Sequence, residues 1–196
     1  MQAALDEVAE KFGGIDIVVN NASAIQLTPV AATDMRRYDL MQQINARGTF
    51  MVSKFAIPYL TRRENPHILM LSPPLEMAEK WFAPHTAYSM AKFGMSLVVL
   101  GLAGELRGKV AVNALWPRTT IATAAIKNLL GGDAMMPPVA QAGDHCRGGL
   151  PHFRKPKSFT GNFLIDDTFL GERGNPRLRP IPRRSKSTAT GGFLRA

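Results

Sequence analysis

Three unbroken apolar runs constrain this chain more than any other feature: "IDIVVN" at 15–20, "HILML" at 67–71 and "KVAVNALW" at 109–116. None alternates apolar with polar residues, and each gives way at once to Asn, Ser or Pro. Strands read this way when both faces are buried, as in a parallel sheet covered by helices. The segments between them have the other period. Ala4, Leu5, Val8, Ala9 and Phe12 recur at helical spacing until Gly13-Gly14 stops them. Residues 33–56 open on a capping Thr-Asp pair and stay helical in period up to Pro58, where a bend or restart is expected. Residues 86–106 read as a second long helix ended by Gly108, and "SFTGNFLIDD" at 158–167 as a fourth strand. Strands alternating with long helices predict an α/β fold around a parallel sheet.

Charge divides the chain. It carries 24 Lys and Arg against 15 Asp and Glu, a net of +9. Residues 171–196 hold seven of those cations and one acid, +6 in all, which leaves +3 for residues 1–170. One domain over 1–170 and a basic, disordered tail over 171–196 are expected. The tail has Phe193 as its lone aromatic, so stacking on bases, and with it specific nucleic-acid recognition, is not indicated. The stretch 131–153 is rich in Gly and Pro, without period, and reads as loop. No charge-free apolar run reaches about 18 residues, so no membrane span is expected. The acidic start does not resemble a secretory leader, and the single Cys146 suits a reducing compartment. His67, His85, His145 and His152 lack metal-ligand spacing, so no metal site is expected.

The second long helix carries the chemistry. Tyr88 and Lys92 stand four residues apart and share one helix face. A phenol titrates near 10, too high for acid–base work at neutral pH. An ammonium within roughly 4–6 Å favours the phenolate and lowers that value. Such a pair exchanges a proton with a carbonyl/alcohol couple. Spacing alone does not separate this from two amphipathic side chains reaching for solvent. The helix is also apolar nearly all round, at Met90, Ala91, Phe93, Met95, Leu97, Val98, Val99 and Leu100, so it has to be covered on every side.

Other residues in the chain say more. "NNAS" at 20–23 closes the first apolar run, Asn45 stands in "QINARGTF", Ser72 ends the second run and "VNALWP" at 112–117 ends the third. In this order and at these separations the chain resembles the short-chain dehydrogenase/reductase family, over residues 1–130 and again 154–170. The resemblance implies a Rossmann-like doubly wound sheet, NAD or NADP as cofactor, and a small-molecule substrate whose hydroxyl or carbonyl sits on an apolar, lipid-like body. It implies Tyr88 as the acid/base and Lys92 as the group that lowers its pKa and bonds the nicotinamide ribose. Asn45 would hold a water in the proton relay. Asn21, Ala22 and Ser23 would stand beside the cofactor, Ser23 where the family has Gly. Pro117, Arg118, Thr119 and Thr120 would border the nicotinamide, Arg118 again in place of Gly. Ser72 lies farther ahead of Tyr88 than the family's serine does, and Pro73 follows it. Either the intervening loop is longer and Ser72 polarises the carbonyl, or no serine does.

The usual Gly-rich turn between strand and helix does not occur, since Gly13-Gly14 precede a strand instead. By the resemblance, the chain starts in the helix before the family's fourth strand, leaving an incomplete sheet with an exposed apolar edge. Two expectations follow: an NAD(P)-dependent oxidoreductase, or a catalytically inactive fragment that keeps the dimerisation helices. The family pattern implies a homodimer, or a heterodimer with an intact relative, through the helices carrying Asn45 and Tyr88. It also implies an intracellular location, in peroxisome or mitochondrion, and otherwise in the cytoplasm.

Overall fold

The structure, a computed structural model, describes residues 1–117 and 151–171. The first helix, α1, runs Gln2–Phe12 and ends where Gly13, with φ 75°, takes the left-handed conformation that a Cβ would resist. Four strands follow along the chain: β1 (Ile17–Asn20), β2 (His67–Met70), β3 (Ala111–Trp116) and β4 (Phe163–Ile165). They form one parallel sheet in the order β1-β2-β3-β4. Val18 lies opposite Ile68, Ile68 opposite Val112, and Leu115 opposite Leu164. Parallel neighbours need long crossovers. Between β1 and β2 the crossover is α2 (Met35–Met41), a π-helical segment over Gln42–Arg47 and α3 (Gly48–Leu60). Between β2 and β3 it is α4 (Thr86–Glu105), and α5 (Asp166–Gly171) follows β4. The carboxylate of Asp34 caps α2 by accepting the amides of Arg36 at 2.8 Å and Arg37 at 3.2 Å.

One face of the sheet meets α3 and α4. There Val18, Ile68, Met70, Val112 and Ala114 pack with Ala56, Leu60, Val99, Leu102 and Ala103, and Leu5 and Ala9 of α1 close the edge. Each Leu, Ile or Val buried in this way contributes about 1.5–3 kcal/mol. The other face carries His67 and Asn113, which meet the segment that leads into β4. Asn113 Nδ2 donates to the Phe159 carbonyl at 2.7 Å, and its Oδ1 accepts the amide of Asn162 at 2.9 Å.

Several expectations change in detail. The run in β1 is not buried on both sides: Ile17 and Val19 are 44% and 49% exposed, while Val18 and Asn20 point into the core. β1 ends the strand order, so one of its hydrogen-bonding edges is unpaired among the described residues. Pro58 does not restart a helix. It lies inside α3, two residues before its end. The fourth strand shrinks to three residues because Asp166 already starts α5. α4 is covered on most sides, but Met90, Leu97 and Leu100 stay exposed. By length and composition alone, α4 is apolar enough to cross a membrane even though Lys92 interrupts it and no charge-free run of about 18 residues occurs. However, 61% of that window is buried inside the fold, as befits a core helix. The loop expected at 131–153 lies outside the described residues up to 150, as does the tail beyond Gly171.

One close approach fixes α4 against the π-helical segment. A Cβ built on Gly94 would stand 2.8 Å from the Cβ of Ala46. Gly94→Ala is therefore expected to cost about 1–3 kcal/mol, read as a lower urea midpoint, and adding Ala46→Gly should return most of it. An unchanged midpoint in the single variant would show that the two helices are not held this tightly.

Candidate active site

The C-terminal ends of β1, β2 and β3 bring together Asn20 and Asn21, Leu71 and Ser72, and Trp116 and Pro117. The crevice beyond such strand ends is where open α/β sheets take their ligands. Above it stands α4, with Tyr88 and Lys92 one turn apart and 5% and 4% exposed. Both side chains are thus buried, and neither takes the bland course of reaching for solvent. Lys92 Nζ donates to the Leu71 carbonyl at 2.8 Å and lies 5.4 Å from the centre of the Trp116 ring. Among the described residues no carboxylate forms an ion pair with it. Desolvation without a counter-charge disfavours the cation and pulls the Lys92 pKa down to about 8.

The phenol behaves differently from expectation. Burial raises the Tyr88 pKa well above the ordinary phenol value, and a side-chain hydrogen bond with Ser23 opposes that rise. The ammonium does not pull it down, because Nζ is turned to the end of β2 and to the indole. Spacing four residues apart fixes a shared face but not where the head groups point.

Asn45 is fully buried within the π-helical segment. Its Oδ1 accepts the Ala24 amide at 2.7 Å and its Nδ2 donates to the Ala24 carbonyl at 2.9 Å. The side chain thus clamps the backbone just after Asn21, Ala22 and Ser23, and so holds the turn whose Ser23 meets Tyr88. Both ends of its amide are used on Ala24, so the side chain itself is committed to the turn. Behind it, Asn20 Nδ2 donates to Ser53 Oγ at 3.1 Å and ties the strand end to α3.

Ser72 is fully buried at the end of β2, and its Oγ has no hydrogen-bond partner among the described residues. The loop after it is pinned by Ser96, whose Oγ donates to the Pro73 carbonyl at 2.7 Å. Sequence reasoning passed over Ser96 and Trp116. Ser96 continues the series 88, 92, 96 on one helix face, and Trp116 is the large aromatic before Pro117. Those were the available signals. Arg118, Thr119 and Thr120 lie outside the described residues.

A family model described as Enoyl-(Acyl carrier protein) reductase matches residues 1–148. A short chain dehydrogenase of Mycobacterium thermoresistibile, known from its crystal structure, is 49% identical, with a TM-score of 0.81 over 88% of this chain and 62% of that one. The chain belongs to the short-chain dehydrogenase/reductase family. Among short-chain dehydrogenase/reductase relatives, hydroxysteroid dehydrogenase-like protein 2 of Bos taurus is 50% identical over 174 residues, 89% of this chain and 41% of the relative. The chain therefore spans less than half the length of that relative. A gluconate 5-dehydrogenase of Burkholderia cenocepacia, solved in complex with NADP and tartrate, shares the fold at 21% identity, with a TM-score of 0.69 over 84% of this chain and 68% of that one. The four parallel strands of the described residues are consistent with an incomplete short-chain dehydrogenase/reductase sheet.

Proposed function

We propose that this chain carries the acid–base half of a nicotinamide-dependent oxidoreductase site acting on a hydroxyl or carbonyl of an apolar, lipid-like small molecule. The observation that supports this best is the burial of Tyr88 and Lys92 together at the strand ends, with no carboxylate ion-paired to the lysine among the described residues. Burying ionisable groups without ion pairs is costly, and such groups cluster at functional sites. Ile25, Leu27, Leu75, Trp81 and Phe82 pack partly buried against the cluster that contains Tyr88, which favours an apolar substrate.

The residues present fit the nicotinamide side of NAD or NADP. The turn of Asn21, Ala22 and Ser23 stands beside Tyr88, and Ser72 keeps a buried hydroxyl that a ligand oxygen would satisfy. Asn21, Ala22, Ser23, Lys92 and Pro117 would hold the cofactor there, with Arg118, Thr119 and Thr120 next in sequence. When bound, that cofactor supplies or accepts the hydride. Tyr88 Oη holds the proton that the substrate oxygen gains or loses. Lys92, charged below about pH 8, stands one helical turn from the phenol and sets its charge at the ends of β2 and β3. Asn45 keeps the turn in place by its two bonds to Ala24.

The exposed stripe of Met90, Leu97 and Leu100 on α4, with Phe50 on α3, favours association with a second copy or a longer relative through these helices. Sedimentation of the purified chain over a range of concentrations would read this. The test of the chemistry is titration of NADH and NADPH into the chain, followed by nicotinamide fluorescence. Saturable binding is expected, weakened at least about tenfold in Lys92→Met, as the loss of one charged hydrogen bond predicts. Binding of equal strength in the variant, or none in the parent, would end this reading.

A further inference from the structure

We propose that Trp116 is a positioning residue for Lys92, its indole face and the Leu71 carbonyl together holding the ammonium in place beneath Tyr88. The inference rests on the reading of Lys92 as the lysine of the site. Trp116 is the last residue of β3, pairs in register with Ile165 and packs in one buried cluster with Met41, Ala87, Tyr88, Ala91 and Phe93. Its seat is therefore fixed by contacts other than Lys92. The ammonium stands 5.4 Å from the ring centre, within the range of a cation–π contact. Its other neighbours are the Leu71 carbonyl at 2.8 Å and Met95 Sδ at 3.6 Å. With no carboxylate ion-paired to it among the described residues, this buried cation leans on such dipoles and π faces. The carbonyl belongs to the backbone, so the indole, with the strongest quadrupole among the aromatic side chains, is the support that a substitution can test.

A side chain that merely fills space has a different consequence. An apolar residue of similar reach in place of Trp116 would preserve most of the packing and still leave the Lys92 titration where it is. If instead the indole holds the charge, the same replacement removes a support of the cation. Burial then acts unopposed by it, and the Lys92 pKa falls further below its present value of about 8.

The experiment follows the lysine Cε signals of 13C-labelled protein across a pH titration, with Lys92→Met identifying the resonance. Trp116→Leu is expected to lower the Lys92 midpoint by about one pH unit, and Trp116→Phe, whose ring is the weaker partner, by less. An unchanged midpoint in either folded variant overturns the proposal. Should Trp116→Leu fail to fold, Trp81→Phe leaves Trp116 as the single indole of the chain. Its emission is then expected to change with the Lys92 midpoint and to be flat once Lys92→Met is added. Flat emission in both proteins likewise overturns the proposal. The cofactor titration fails or succeeds independently. Loss of nicotinamide binding with the Trp116 effect intact would remove the oxidoreductase reading and leave the positioning standing.

Discussion

Tyr88→Phe is expected to fold like the parent, to keep its affinity for nicotinamide cofactor, and to lose turnover by about 10²–10⁴-fold, the usual worth of a positioned acid/base group. The substitution removes one oxygen from a side chain that is otherwise held by Met41, Ala87, Ala91, Phe93 and Trp116. The hydrogen bond with Ser23 is lost, but Ser23 is exposed and finds water instead. Its cost to stability should therefore be about 1 kcal/mol. The measurement is steady-state rate alongside cofactor binding on the same preparation. A variant that retains a tenth or more of the parent rate would show that another group moves the proton.

The second large effect concerns acid. His67 and His152 are fully buried with ring centres 5.3 Å apart, in an aromatic cluster of Phe153, Phe159 and Phe169. Burial first, and then the charge on His67, hold His152 at a pKa of about 4. Burial likewise lowers His67. In the unfolded chain both imidazoles titrate near their ordinary value, so between about pH 6.5 and 4 the unfolded state binds protons that the native state refuses. Stability is full above that window and falls as the pH falls through it. His152 alone should account for about 3 kcal/mol of the loss by pH 4, the integral of its shift from 6.5 to about 4. Urea midpoints from pH 7 to pH 4 would record a steep acid limb in the parent and a flatter one in His152→Phe. Parallel limbs would mean that the pair is not what refuses the protons.

The sheet was legible because buried parallel strands leave unbroken apolar runs, and the helices because Gly13 and Asp34 mark their ends. That Tyr88 and Lys92 share one face of α4 was legible too, since one helical turn is a local matter. What escaped reading depends on contacts across the fold. Nothing in "QINARG" distinguishes a wide helical turn from a regular one, so the clamp of Asn45 on Ala24 could not be foreseen. The direction of the Tyr88 shift turned on burial, which spacing does not give. His67 and His152 lack any shared motif and meet only because the segment before β4 folds back over the sheet. Ile17 and Val19 were read as buried because they are apolar, but burial also needs an element to cover them.

The wide turn at Gln42–Arg47 has a further consequence. A helix with one residue too many in a single turn is two helices out of phase by about 100°. On its N-terminal side the phase is set by Met41 packing against Tyr88, and on its C-terminal side by Ser53, Ala56 and Leu60 facing β1 and the core. Deleting one residue would let the backbone bonds become regular, which local energetics favours. It would also rotate one half against the other, taking either Asn45 off Ala24 or Leu60 out of the core. The irregularity is thus locked in from both sides. Sequence drift by substitution can change the residues of this turn, but only a deletion could straighten it, and that would cost the core as much as the site.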